Sequence, residues 1–163
     1  MKISLNWLQD WIELQEKNIS TIATRLTDSV SEIENIIDQS QGLNQVFVGE
    51  ILDIQPHPNA DRMRITKTKV GDKTYQIVCG ANNIEIGQKV PVALEGAVLP
   101  GDFAIKNTTK RGIDSEGMIC SEVELGLAEE AEGIMVLDTQ AKVGLSIIDY
   151  LQEQDLWHWL STV

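Results

Sequence analysis

Val46-Phe47-Val48-Gly49-Glu50-Ile51-Leu52-Asp53-Ile54, halted by Pro56-His57-Pro58-Asn59-Ala60-Asp61, is where the chain changes character. A run rich in β-branched and aromatic residues reads as a strand, and the Pro/Asn/Asp cluster that closes it reads as a turn. Further short runs follow at similar spacing. Met63–Val70 passes through Gly71-Asp72 into Tyr75–Cys79, and after Gly80-Ala81-Asn82-Asn83 come Lys89–Ala93, Phe103–Lys106, Met118–Ser121 and Gly133–Leu137. Pro91 lacks the N–H that a ladder requires, so its strand is expected at an edge or a bulge. Ser121-Glu122-Val123-Glu124-Leu125-Gly126 has capping-box spacing ended by glycine and predicts one helical turn, and Ser146–Leu151 reads as a short helix. Five or six short strands with one small late helix suggest a five-stranded OB-type β-barrel with elaborations, in a mainly β chain with flanking helices (α+β).

Upstream, the first forty residues are acidic and helical in pattern. Ser4 is placed to cap a helix carrying Leu5, Leu8 and Ile12, and Ser20 to cap a second one carrying Ile22, Ala23 and Leu26. Val30–Ile37 is ambiguous between helix and strand and is read as a strand. The expected organisation is a helical N-terminal segment over 1–40, part of a small split domain, an OB module over 41–151, and a tail over 152–163.

At 163 residues the chain suits one domain with at most a small appendage. A chain of this size buries roughly 70% of its unfolded surface and needs no metal or disulfide staple. No stretch approaches 18 consecutive apolar residues, and the opening Met1-Lys2-Ile3-Ser4-Leu5-Asn6-Trp7 is broken by polar residues, so neither a membrane span nor a signal peptide is expected. Two cysteines, Cys79 and Cys120, in apolar surroundings fit a reducing cytoplasm.

Twenty-five acids against 13 bases give a net charge of −12, which repels a phosphate backbone at long range. The bases are nevertheless clustered. Arg62, Arg64, Lys67, Lys69 and Lys73 form one group; Lys106, Lys110 and Arg111 form another. In Ile105–Ser121 the cations are suited to phosphates, and Ser115 with the flexible Gly117-Met118 backbone is suited to hydrogen-bond a ribose or phosphate oxygen. A solvated basic loop leading into a buried strand fits the same spacing. Aromatic platforms for stacking are few, with only Phe47, Tyr75 and Phe103 in the β region.

Other chemistries find little support. His57 and His158 are the only histidines, and no metal-ligand spacing is present; His57 with Asp61 falls short of the three or four ligands zinc takes, so 56–61 reads as a rigid turn. Cys79 and Cys120 read as small core residues rather than nucleophiles. The glycines lack Walker or dinucleotide spacing. No catalytic residue and no cofactor is expected in this segment.

Lys110-Arg111-Gly112-Ile113-Asp114-Ser115-Glu116-Gly117-Met118-Ile119-Cys120-Ser121 resembles the signature of tRNA-binding OB modules. So do Pro56–Asp61, Ile77–Asn83, Gly87–Ala93 and Gly96–Gly101, in that order. The opening Met1–Leu8 and the run Ser121–Leu127 are similar to the N-terminal region of the bacterial phenylalanyl-tRNA synthetase beta subunit, a family in which the OB module is inserted into a small domain begun by the N-terminal segment. The resemblance covers residues 1 to about 150. The end, Gln154–Val163, differs from that family's continuation, whose Pro-Asn-Arg motif it lacks.

The resemblance implies a tRNA-binding and assembly module that assists aminoacylation of tRNA-Phe without catalysing it. Its expected RNA contacts are Lys106, Lys110, Arg111, Ser115, Gly117 and Met118, with Arg62, Arg64 and Lys67 as secondary basic candidates. Expected partners are tRNA, held weakly in isolation, the remaining beta-subunit domains and the alpha subunit. The parent enzyme of the family, a phenylalanine–tRNA ligase, uses ATP and magnesium. A free-standing OB tRNA-binding protein, or a purely structural protein-interaction module favoured by the acidic charge, are the alternatives.

Overall fold

A computed structural model of the chain describes residues 2–3, 11, 13, 19–29, 32–37, 42–153 and 159–162. In chain order its elements are β1 (Lys2–Ile3), α1 (Ile19–Ser29), β2 (Ile33–Ile37), β3 (Val46–Pro56), β4 (Arg64–Val70), β5 (Lys73–Cys79) and β6 (Lys89–Leu94). There follow β7 (Val98–Leu99), β8 (Phe103–Ala104), β9 (Thr108–Lys110), β10 (Ile113–Ser115), β11 (Gly117–Ile119), α2 (Ile147–Glu153) and β12 (Trp159–Thr162). The chain divides into two compact units, Met1–Gln39 with Leu151–Val163, and Ser40–Tyr150.

In the first unit β12 lies between β1 and β2 in an antiparallel sheet. The strand expected over Val30–Ile37 is present over Ile33–Ile37. Helix α1 begins at Ile19, so Ser20 lies inside its first turn and is not its cap; the Ser20 carbonyl accepts from Thr24 Oγ1 at 2.9 Å. The helix expected after Ser4 falls, apart from positions 11 and 13, outside the described residues.

The second unit is built on an antiparallel sheet in the order β11-β6-β3-β4-β5. Its outer strands turn toward each other, and β5 receives the β10–β11 segment: Glu116 N–H donates to Gln76 O at 2.9 Å, and Val78 N–H donates to Ser115 Oγ at 3.0 Å. The result is the nearly closed five-stranded barrel expected of an OB-type fold. Ile51, Val70, Ile77, Cys79, Ile84, Val90, Val92, Ile119 and Ile134 fill it. Two threonines enter this apolar interior without leaving a polar group unpaired. Thr68 Oγ1 donates to Thr66 Oγ1 at 3.0 Å, and Thr66 Oγ1 donates to Ile77 O at 3.0 Å.

Local chemistry explains the connections. Gly71, at φ 60°, takes the first central position of the two-residue β4–β5 turn, as a type II′ turn requires. After β11, Ser121 and Glu124 form a reciprocal capping box: Ser121 N–H donates to Glu124 Oε2 at 2.6 Å, and Glu124 N–H to Ser121 Oγ at 3.4 Å. The turn ends in a Schellman motif, with Leu127 N–H to Glu122 O at 2.8 Å, Gly126 N–H to Val123 O at 3.0 Å and Gly126 at φ 70°.

Two expectations are corrected. The strand holding Pro91 is internal, with β3 on one side and β11 on the other. It tolerates proline because another donor replaces the missing one: Cys120 N–H donates to Pro91 O at 2.9 Å, while the Cys120 carbonyl accepts from Met135 N–H at 3.0 Å. Gly133–Leu137 is not a strand. Its backbone is satisfied one bond at a time by different partners, namely Asn83 through both amide atoms on Ile134, Cys120 on Met135, and Lys89 on Leu137. Only the single bridge Lys89↔Leu137 has ladder geometry.

Candidate nucleic-acid interface

Between β6 and β11 the chain makes two successive hairpins, β7–β8 and β9–β10. The second turns on Arg111-Gly112, with Lys110 paired to Ile113 and φ of 48° and 89° at the two turn residues. Positive φ at both central positions is the type I′ geometry. Glycine adopts it freely; for arginine the left-handed conformation costs about 1 kcal/mol. Something must hold this tip, and the turn after β3 does so. His57, 5% exposed, accepts the Asn59 N–H at Nδ1 (3.1 Å), which places its own proton on Nε2, donated to Lys110 O at 3.0 Å. Asn59 Nδ2 donates to Arg111 O at 3.1 Å, and Arg111 Nη1 reaches Asn59 O at 3.5 Å. The 56–61 turn is thus rigid, and its histidine is a structural anchor.

Beside this clamp lies a groove of about 300 Å³ whose lining includes Lys106, Lys110, Ser115, Gly117 and Met118. Five of the six residues nominated from the sequence therefore meet at one place. Arg111 stands next to Lys110 on the exposed hairpin tip, outside the lining. The groove's apolar wall comes from Val78, Ile105, Met118 and the ring of Phe103, which is 54% exposed. Lys106 and Lys110 are exposed and form no ion pair among the described residues.

The nominated residues do not all offer their side chains outward. Ser115 is 3% exposed, and its hydroxyl accepts from Val78 N–H while donating to Gly117 O at 2.9 Å. It closes the barrel and shapes the groove from behind. Arg62, Arg64 and Lys67 are exposed along the turn before β4 and on β4 itself, and none lines the groove. Sequence reasoning missed two things: Phe103 as an open aromatic face, and His57–Asn59 as the anchor of the Lys110-Arg111 tip. The first had a signal, an aromatic three residues before a lysine after a Pro-Gly turn. The second joins positions 53 residues apart and has no local signature.

Cys79 and Cys120 are both free and buried. Burial, reinforced by the charge of Glu124, pushes the Cys120 thiol up to about 12, and burial also raises that of Cys79. Among the described residues no three His, Cys, Asp or Glu side chains gather where a metal ion could sit, and no helix is long and apolar enough to cross a membrane.

A five-stranded barrel whose first-to-second strand connection holds the tip of the fourth-to-fifth, beside a basic, aromatic-walled groove lined by the latter and by the third and fifth strands, is an OB-type barrel, a class that uses those two loops to hold oligonucleotides and oligosaccharides. Residues 46–146 match the family described as "Putative tRNA binding domain", and the chain belongs to that family. It is homologous to the phenylalanine–tRNA ligase beta subunit. It is 46% identical over 153 residues to that of Bdellovibrio bacteriovorus (92% of this chain, 19% of the relative). With that of Fusobacterium nucleatum it shares 43% identity over 157 residues (96% and 20%). The chain spans about a fifth of the length of the curated relatives it matches. A solved MetRS-related protein from Pyrococcus horikoshii aligns at 19% identity and a TM-score of 0.47, covering 62% of this chain and 86% of that one.

Proposed function

We propose that this chain is a tRNA-holding and assembly module from the N-terminal region of a phenylalanine–tRNA ligase beta subunit, assisting aminoacylation of tRNA-Phe in the cytoplasm without performing chemistry itself. Lys106, Lys110 and Arg111 hold RNA phosphates, Gly117 and Met118 let the backbone approach, and Ser115 positions that backbone from within the barrel. Arg62, Arg64 and Lys67 extend the basic surface. The partners are tRNA, the remaining beta-subunit domains and the alpha subunit; ATP and magnesium serve the parent enzyme elsewhere. Residues 1–40 and 152–163 flank the OB module of 41–151 in this reading.

The observation that carries the reading is the convergence of two exposed lysines, an exposed phenylalanine and the anchored Arg111 tip around one groove of an OB barrel. The net charge of −12 requires that contact to be local and modest, strengthened in a larger enzyme by tethering. Filter binding of tRNA-Phe at low salt tests it. Measurable binding lost in Lys106→Ala/Lys110→Ala/Arg111→Ala supports the reading; no binding by the unaltered chain sinks it. The acidic charge also favours a second reading, a protein-interaction module. That reading gains if the triple substitution leaves tRNA affinity of the intact synthetase unchanged while removal of residues 1–150 releases the alpha subunit.

A further inference from the structure

The groove is divided in a way that a purely electrostatic grip would not need. Its cations, Lys106 and Lys110, are exposed, whereas its wall is apolar: Val78, Ile105, Met118 and Phe103. Helical RNA shows phosphates and riboses to a protein and keeps its base faces stacked inside, so it would leave that wall in water. An unpaired nucleotide offers both surfaces at once, a π-face and two flanking phosphates. At about 300 Å³ the space lies at the lower end of sites for small organic ligands, which suits one base and its sugar rather than a run of them. The Ser115 hydroxyl is already engaged by Val78 N–H and Gly117 O, so it is not available to read a base edge.

We infer that the groove receives a single unpaired nucleotide of the RNA, its base laid against Phe103 and Met118 and its flanking phosphates on Lys106 and Lys110. This rests on the tRNA-binding reading and makes it more specific: the element recognised is an extruded or loop nucleotide, with stacking area setting affinity, so that purines bind better than pyrimidines.

Two RNA hairpins of identical stem test it, one carrying a single bulged 2-aminopurine and the other having that base paired. With the 163-residue chain at low salt, the bulged hairpin binds about tenfold tighter, as one aromatic–base stack allows, and its fluorescence changes on binding. Phe103→Ala abolishes the preference, while Phe103→Tyr retains it. Equal affinity for the two hairpins, or a preference that survives Phe103→Ala, overturns the inference while tRNA-Phe still binds through the lysines. Failure of tRNA-Phe itself to bind removes the parent reading and this inference with it.

Discussion

His57 touches no solvent-facing ligand, yet its ring fixes the conformation of the residues that do face solvent. Its Nδ1 takes the Asn59 N–H and its Nε2 serves the Lys110 carbonyl. His57→Ala leaves a donor and an acceptor without partners and is expected to cost about 1–3 kcal/mol in urea denaturation, with a several-fold loss of tRNA affinity from a loosened Arg111 tip. Cys120 gives a second residue-scale expectation. Burial holds its thiol protonated up to about 12, against an ordinary 9.0, so at pH 8 it reacts with Ellman's reagent only when the chain is unfolded. The sign of the linkage follows. The folded state binds this proton more tightly than the unfolded chain does, so the contribution is complete below about 9 and is lost as pH climbs from there toward 12, a decline readable in urea titrations.

Elements show why some of this architecture could be read from the sequence and some could not. Strands β3 to β6 appear within a residue or two of their expected limits because their patterning is local, with β-branched runs punctuated by Pro, Gly, Asn and Asp. The Ser121–Gly126 turn was legible for the same reason, its capping box and glycine both lying within six residues. Pro91 in an internal strand and the irregular Gly133–Leu137 segment were not legible, since both depend on Met135 N–H reaching Cys120 O, a contact set by tertiary structure. At the groove, the cations were apparent as a cluster, but burial of Ser115 and exposure of Phe103 follow from barrel closure. Closure makes one further position critical. A Cβ on Gly49 of β3 would lie 2.6 Å from Val92 Cγ2 and 3.0 Å from Thr68 Cγ2, both inside the barrel wall. Gly49→Ala is therefore expected to destabilise by about 1–3 kcal/mol, seen as a lower urea midpoint with an unchanged m-value.

Across the whole molecule, a strongly acidic chain presents its groove as a small cationic exception. Long-range steering by the overall field is therefore adverse, and RNA affinity depends on the few contacts made at close range. If Lys106, Lys110 and Arg111 hold phosphates as proposed, the slope of log K against log salt is roughly −2 to −3, falling in magnitude by about one with each of Lys106→Ala, Lys110→Ala and Arg111→Ala. A slope steeper than about −5 would mean that cations elsewhere, such as Arg62, Arg64 and Lys67, share the contact. The link between His57 and Lys110 has a consequence in time as well as in space. It joins segments 53 positions apart, across the strands that must assemble between them. Contacts from the distant 57–59 turn hold the tip, so a chain whose barrel is not assembled has the lysines but not the shaped tip that presents them. On the proposed function, RNA binding is therefore expected to require a finished barrel, and an immature chain to compete poorly for tRNA.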